Sequence, residues 1–149
     1  IATPEIADAF QKLTISTFGG SPPSVAAAHA TLDVIEGDNL VDQVDKTGAR
    51  LREGLEELQR RFPKKIGDVR GKGLMQAIEL VVDETAGDRT PDGAATAQLF
   101  EETKKRGMLI GKGGLSGNCI RISPPLTVSN AEVDDALKIF RESFEAMGA

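Results

Sequence analysis

The sequence predicts an α/β fold in which long helices come first and a small, at least partly antiparallel sheet with helices packed on it follows. Apolar residues recur at helical spacing through residues 22–62, and a nearly continuous apolar run covers residues 74–82. The connections between the later strand candidates are too short for parallel crossovers. Together these observations favour helices that lead into antiparallel strands.

Two helices are predicted before residue 38, separated by a loop rich in glycine and proline. The segment TPE at positions 3–5 is typical of a helix start, so a short helix through about Lys12 is expected. Ser21 and Pro22 are suited to begin the second helix, and Gly37 is suited to end it. One face of this helix carries apolar residues at helical spacing, namely Val25, Ala28, Leu32 and Ile35.

A third helix and then a strand follow. The helix is expected to start after Asp38 or Asn39 and to stop at Pro63, with its apolar side formed by Leu40, Val44, Leu51, Leu55, Leu58 and Phe62. Glycines in GDVRGKG, at positions 67–73, indicate turns that lead into a strand over residues 74–82, covered on at least one face. The segment ETAGDRTPDG is expected to be a polar loop.

The C-terminal third predicts helix, two short strands and helix. A helix over residues 94–106 ends at Gly107, and MLIGKGG and NCIRIS are strand candidates joined by a glycine-rich turn or mobile loop. Ser129 and Glu132 have the spacing of a capping box. The last helix then repeats apolar residues at steps of three and four, at Val133, Leu137, Phe140, Phe144 and Met147.

Composition excludes several classes of function. The 149 residues are 40% hydrophobic and 28% charged with a net charge of −5 and no long basic run, so a nucleic-acid partner is not expected. No apolar run approaches a membrane span and no signal-peptide pattern is seen, which predicts a cytoplasmic protein. With one histidine and one cysteine, neither a metal site nor an internal disulfide is expected.

Arg121, in CIRISPPL, is the first candidate for chemistry. In a strand Ile120 and Ile122 point to one side and Arg121 to the other, and the isoleucines have the stronger claim on a core. A guanidinium presented on a rigid strand suits two parallel hydrogen bonds to a carboxylate. A solvated strand arginine and a structural ion pair are the alternatives.

The loop STFGGSPPS, residues 16–24, is the second candidate. Ser16 and Thr17 offer hydroxyls and amides, and the two glycines permit close backbone approach, so the loop suits a phosphate. It matches neither a Walker motif nor a dinucleotide fingerprint, and an ordinary helix-entry turn is the alternative. The segment VRGKGLM has the order of a turn into a strand, and His29 and Cys119 lack local catalytic partners.

Four segments together resemble the carboxy-terminal part of class III aminotransferases, which are pyridoxal-phosphate enzymes of fold type I. In order they are STFGGSPPSVAAAHATLDVIEGDNL, IGDVRGKGLMQAIELV, KKRGMLI and CIRISPPLTVSNAEVDDAL. The form STFGGSP is similar to the alanine–glyoxylate and omega-amino-acid branch. Ser16 and Ser21 depart from the His and Asn that many relatives have at these places.

The resemblance implies amino transfer from an amino donor to a 2-oxo acid, with pyridoxal 5'-phosphate as cofactor, in a cytosolic homodimer. It implies that Thr17, with its neighbour Ser16, contacts the cofactor phosphate across a dimer interface. It also implies that Arg121 binds the substrate carboxylate. The family's Schiff-base lysine lies upstream of the T-F-G-G loop, so no catalytic residue is expected in this chain and its catalytic lysine is expected upstream of Ile1.

The expected organisation is therefore that of a fragment, inactive alone and completed by a missing large domain. Residues 1–36 are expected to form a linker segment and interdomain helix, and residues 37–149 the small C-terminal domain. Two alternatives stay open on the sequence. One is a stand-alone binding or regulatory module that reuses this domain, and the other is a parent that is a decarboxylase or an aminomutase.

Overall fold

The computed structural model describes residues 2–13 and 15–148, which form two units, Ile1–Asp38 and Asn39–Ala149. The first unit contains helices α1 (Pro4–Asp8) and α2 (Pro22–Gly37). The second contains α3 (Leu40–Arg61), β1 (Ile66–Lys72), β2 (Met75–Asp83), β3 (Asp88–Pro91), α4 (Gly93–Lys105), β4 (Gly111–Gly113), β5 (Cys119–Ile122) and α5 (Asn130–Ala146). The predicted α/β class, with helices first and an antiparallel sheet after them, is confirmed.

Helix α2 of the first unit begins and ends where the sequence indicates, but it buries nothing. Ser21 precedes it without a side-chain cap hydrogen bond, and Gly37 is its last residue. No residue of α2 is buried, and Leu32 is 54% exposed. Helix α1 is shorter than predicted and ends at Asp8 instead of near Lys12. The first unit therefore keeps its apolar side chains at its surface.

The sheet of the second unit has the order β1-β2-β5-β4, with β3 beside β2, and all of its described pairings are antiparallel. Strands β1 and β3 were not predicted, because their sequences are rich in glycine and polar residues. Gly67 and Gly71 lie inside β1, where a Cβ at Gly67 would come within 2.8 Å of Val81. These glycines allow close approach of β2 as well as turns.

Helices α3, α4 and α5 supply the hydrophobic core together with one face of the sheet. Leu55, Leu99, Ile120 and Phe144 are completely buried in it. The rings of Phe62 and Phe144 stack with centroids 5.0 Å apart. Strand β5, at the centre of the β2-β5-β4 pairing, is thus anchored from below by the core and from both sides by hydrogen-bonded strands.

Helix α3 crosses the β1–β2 hairpin at a contact between two glycines. A Cβ at Gly48 would lie 2.5 Å from the carbonyl carbon of Gly73, and Gly73 itself has φ +53°. Any side chain at Gly48 would collide with backbone, which cannot move aside as a flexible side chain can. The turn predicted for VRGKGLM is present and serves this helix contact.

The capping box predicted for the last helix is present. The Ser129 hydroxyl accepts from the Glu132 amide at 3.2 Å, and the Glu132 carboxylate accepts from the Ser129 amide at 2.8 Å. The hydrogen bond from the Ser129 amide is the main cause that holds the pKa of Glu132 below its ordinary value. Helix α5 therefore starts at a defined residue, close to the Pro-Pro segment that leaves β5.

Candidate functional site

Strand β5 presents Arg121 on the face of the sheet that lies away from the core. Ile120 is fully buried and Ile122 packs partly against the core, whereas Arg121 is exposed. This is the alternation predicted from CIRIS. Because β5 is paired on both sides, hydrogen bonds to β2 and β4 hold the backbone that carries Arg121.

The two cross-strand neighbours of Arg121 are very small. Arg121 lies opposite Ala77 on β2 and opposite Gly111 on β4. A Cβ at Gly111 would be 3.3 Å from the Arg121 Nε, so the arginine side chain lies over β4 at this glycine. The aliphatic part of the Arg121 side chain thus occupies space that larger side chains at positions 77 and 111 would fill.

No ion pair or side-chain hydrogen bond engages Arg121 within the described residues 2–13 and 15–148. Several other arginines of the second unit are paired, as Arg50 is with Asp134 at 2.6 Å and Arg106 with Glu102 at 2.7 Å. The exposed helix residues Arg60 and Arg141 are, like Arg121, in no ion pair among the described residues. The structural ion pair considered from the sequence is therefore not seen here. Arg121 keeps all of its donors for a ligand or for solvent.

Arg70 provides the contrast on the same face of the sheet. It lies opposite Ala77, so Arg70, Ala77 and Arg121 share one row across β1, β2 and β5. Its guanidinium binds Asp68 at 2.6 Å and also Glu79, and these two carboxylates raise its pKa, with Asp68 the larger cause. Arg70 is therefore bound to two protein carboxylates, whereas Arg121 is bound to none in the part of the chain that the structure describes.

A groove of about 440 Å³ lies next to Arg121 within the second unit. Its walls come from the segment that enters β4, the Pro-Pro segment after β5 and the first turns of α5; they include Met108, Pro124, Val128, Glu132 and Ala136. The lining is mainly apolar, and its acidic residue, Glu132, is occupied by the cap of α5. The groove gives the surface beside Arg121 a concave shape.

The loop of the first unit contains the other predicted site residues, Ser16 and Thr17. Both are exposed. The Gly19 amide donates to the Ser16 carbonyl at 3.2 Å, and Gly20 has φ +78°. A Cβ at Gly19 would lie 3.1 Å from the Ser16 hydroxyl oxygen. The loop is therefore a tight turn that depends on its glycines, and Thr17 is an exposed residue within it.

This loop fits a phosphate as a partial contact. The turn exposes two hydroxyls, which can each donate one hydrogen bond to a phosphate oxygen. The helix that follows begins with Pro22 and Pro23, which have no amide hydrogen, so two of the donors usual at a helix start are missing. Hydroxyls rather than the helix terminus would therefore hold the phosphate at this loop.

The remaining sequence candidates take no part in this arrangement. His29 is exposed on α2. Cys119 is buried and accepts a hydrogen bond from the Arg70 Nη2 at 3.3 Å. Among the described residues no group of three potential metal ligands is present. In the same residues, no helix combines the length and the hydrophobicity needed to cross a membrane.

Sequence reasoning proposed Arg121, Ser16 and Thr17 as site residues, which stays a prediction, and it missed what surrounds the arginine. Ala77 and Gly111 become its neighbours only through the pairing of β2 and β4 with β5. Gly111 stands in MLIGKGG, where it looked like one of several turn glycines. Its place opposite an arginine could be found only from the strand register.

Comparison with known families gives one match over nearly the whole chain. The model of the family described as aminotransferase class-III matches residues 1–144. The chain is 38% identical over 148 residues to alanine–glyoxylate aminotransferase 2 homolog 2, mitochondrial, of Arabidopsis thaliana, covering 99% of this chain and 30% of that protein. It is 40% identical over 128 residues to 5-aminovalerate aminotransferase of Pseudomonas putida, covering 86% and 29%.

Solved structures match at the level of the fold and of the sequence. A phospholyase from Arthrobacter in complex with phosphoethanolamine has a TM-score of 0.86 at 32% identity, covering 96% of this chain and 34% of that one. A lysine aminotransferase from M. tuberculosis has a TM-score of 0.80 at 32% identity, covering 95% and 31%. The chain thus spans about 30% of the length of the curated relatives it matches.

Proposed function

Since this chain belongs to the class III aminotransferases, we propose that it supplies the carboxylate-binding arginine and part of the phosphate-binding surface of a pyridoxal-phosphate enzyme. The enzyme would transfer an amino group between an amino donor and a 2-oxo acid. The homologues are pyridoxal-phosphate-dependent aminotransferases, which supports both the cofactor and the reaction class.

One observation carries the proposal: Arg121 is exposed on an internal strand and has no protein carboxylate among the described residues. Amino donors and 2-oxo acids share a carboxylate, which a guanidinium binds through two parallel hydrogen bonds. Held by a paired strand, Arg121 would orient the substrate by this end. Orientation of this kind lowers the barrier by placing the reacting carbon correctly.

Thr17 and Ser16 would contribute hydroxyl hydrogen bonds to the cofactor phosphate. Both are exposed in a tight turn, as such a contact requires. When bound, pyridoxal phosphate supplies the electron-accepting chemistry of amino transfer. Loss of one hydroxyl contact, as in Thr17→Ala, should weaken cofactor retention by about 1 kcal/mol.

We assign the catalytic lysine and the rest of the site to a large domain. We also propose that the active enzyme is a homodimer. The first unit supports a need for partner surfaces, because Phe10, Phe18 and Leu32 are 64%, 85% and 54% exposed. After free pyridoxal phosphate is removed by gel filtration, the 149-residue chain should then retain no stoichiometric protein-bound cofactor absorbance. A stoichiometric protein-bound band that borohydride converts into a stable adduct on one lysine would contradict this assignment.

The cytoplasmic location stays a prediction within the proposal. Three of the relatives are named as mitochondrial, those of Arabidopsis thaliana, Homo sapiens and Pongo abelii. Cell fractionation with an antibody against this chain decides between the two compartments.

The test of the proposal is Arg121→Ala in the complete aminotransferase, assayed with L-alanine as donor and glyoxylate as acceptor. This pair follows the alanine–glyoxylate relatives. Loss of a bidentate contact should cost about 2–4 kcal/mol of transition-state stabilisation, which is measured as a fall in kcat/KM. Arg121→Lys should recover only part of this loss, because an ammonium keeps the charge but not the two parallel bonds.

Arg141→Ala is the matched control, since Arg141 is an exposed arginine of α5 that does not line the groove. It should leave kcat/KM within about twofold of the parent value. An unchanged kcat/KM in Arg121→Ala would remove Arg121 from the site. Appearance of the donor's amino group on glyoxylate separates amino transfer from decarboxylation and from aminomutase chemistry.

A further inference from the structure

We propose that Gly111 is a positioning residue for Arg121: its missing side chain lets the arginine lie over β4, away from Glu79, and so keeps the guanidinium available to a substrate carboxylate. The inference rests on the proposed function, because it concerns how the carboxylate-binding arginine is kept free. It extends that function to a residue of a different strand.

The Arg121 side chain points toward β4. Gly111 and Arg121 are register partners in the β4–β5 pair. A Cβ at Gly111 would meet the Arg121 Nε at 3.3 Å and its Cβ at 3.4 Å. These distances place the stem of the arginine beside the Gly111 backbone, and hence on the β4 side of its own strand.

On the β2 side of Arg121 lies Glu79. Glu79 pairs with Cys119 in the β2–β5 register, two residues before Arg121, so it is a diagonal neighbour of the arginine. Diagonal neighbours in antiparallel sheets are within reach of long side chains. Yet Glu79 binds Arg70, and Arg121 has no ion pair among the described residues. The Arg121 side chain extends toward Gly111, and this direction accounts for the lack of an ion pair between Arg121 and Glu79.

A side chain at position 111 would displace the Arg121 side chain. The backbone of Gly111 does not have φ in the left-handed region, so alanine or valine can adopt it. A new Cβ would also approach the Arg121 carbonyl oxygen, at 3.3 Å, but that atom belongs to a paired strand. The flexible arginine stem would therefore yield and turn toward β2, where Glu79 can neutralise it.

Gly113 offers a matched control. It belongs to the same strand as Gly111 and, two residues away, to the same face of the sheet. It pairs with Cys119, and a Cβ there would have no atom within 4 Å. Neither glycine has φ in the left-handed region. The two positions thus differ mainly in whether a side chain would touch Arg121.

The experiment compares alanine and valine at both positions in the complete aminotransferase, with L-alanine and glyoxylate. Gly111→Val should raise KM for glyoxylate about tenfold and Gly111→Ala about threefold, because Glu79 competes with the substrate for Arg121; kcat should stay within about twofold, because Arg121 still orients a substrate once it is bound. Gly113→Ala and Gly113→Val should keep KM within about twofold of the parent value. Equal KM values in the two series would overturn the proposal.

The double variant Gly111→Val with Glu79→Gln tests the capture of Arg121 directly. Removal of the carboxylate should bring KM back to within about threefold of Glu79→Gln alone. A KM that stays as high as in Gly111→Val would overturn capture by Glu79. Thermal unfolding of all variants is measured alongside, and KM changes that merely follow loss of stability would also count against a positioning role.

A failure of the positioning role of Gly111 can be distinguished from a failure of the proposed function of Arg121. If Arg121→Ala leaves kcat/KM unchanged, the carboxylate site itself is wrong. If Arg121→Ala lowers kcat/KM but the valine variants at 111 and 113 behave alike, Arg121 keeps its role and only the positioning by Gly111 is rejected.

Discussion

Helices α2 and α3 differ in sequence pattern and in burial: α2 is alanine-rich and only weakly amphipathic, whereas α3 is a charged helix with one distinct apolar face. Each carries apolar residues at helical spacing. Helix α3 buries residues that include Leu51, Leu55 and Leu58, whereas α2 buries none. The difference teaches that helical spacing predicts a helix, while a core depends on what packs against it. The two units should therefore respond differently to the same substitutions.

The largest difference is expected between two phenylalanines. Phe140 is 1% exposed in the core of the second unit, and Phe18 is 85% exposed in the loop of the first. Phe140→Ala should lower the free energy of unfolding of the 149-residue chain by about 3–5 kcal/mol. Phe18→Ala should change it by less than about 0.5 kcal/mol. Urea denaturation followed by circular dichroism measures both, since the chain has no Trp or Tyr.

Equal losses in these two variants would break the comparison. They would mean that the loop of the first unit is as well packed as the core of the second.

Two helical glycines should give effects of opposite sign. Gly48→Ala introduces a Cβ 2.5 Å from the backbone of Gly73 and should lower the free energy of unfolding by about 1–3 kcal/mol. Gly37→Ala meets no atom within 4 Å and should raise it by up to about 1 kcal/mol, because alanine restricts the unfolded chain. Thermal melts of the two variants show the sign directly, and a stabilising Gly48→Ala would refute the close contact.

The helix starts provide a third contrast, between two serines at N-cap positions. Ser129 caps α5 through its hydroxyl, whereas Ser21 makes no side-chain cap bond to α2. Ser129→Ala should lower the free energy of unfolding by about 1 kcal/mol. Ser21→Ala should have an effect below about 0.3 kcal/mol. A similar loss at both positions, measured by urea denaturation, would show that Ser21 also caps its helix in solution.

The smallest expected effect concerns acid stability in the second unit. Burial raises the pKa of Asp92, but hydrogen bonds from the Ala95 amide and from Lys65 outweigh it and hold the pKa below its ordinary value of 3.8. Asp92 therefore adds stability that is complete above pH 3.8 and is lost as the pH falls further, through the folded-state pKa.

Asp92→Asn keeps a capping side chain at α4 but removes the charge that binds Lys65 at 3.2 Å. It should lower the free energy of unfolding at pH 7 by less than about 1 kcal/mol. The difference from the parent should shrink as the pH is lowered below 3.8. A difference that stays constant from pH 7 to pH 2.5 would contradict the lowered pKa.

Prediction from sequence worked where the signal was local. The bounds of α2 and α3 follow from Pro22, Gly37 and Pro63, and the capping box at Ser129 marks the start of α5. Strands β1 and β3 were not predicted, because their residues favour turns and become strands only by pairing with β2. Thr3 and Ser21 stand at helix starts that the sequence predicted, yet neither side chain makes a cap hydrogen bond.

The sequence by itself determined the family, the fold class and the face of β5 that carries Arg121, because these depend on motifs and on a period of two along one strand. Only the tertiary structure decided that Arg70 is paired with Asp68 and Glu79, while Arg121 lies over Gly111 and meets no carboxylate among the described residues. Both arginines are strand residues on one face, and no local pattern tells them apart. Their difference arises from strand register between distant segments, which sets the carboxylate or glycine that each one meets.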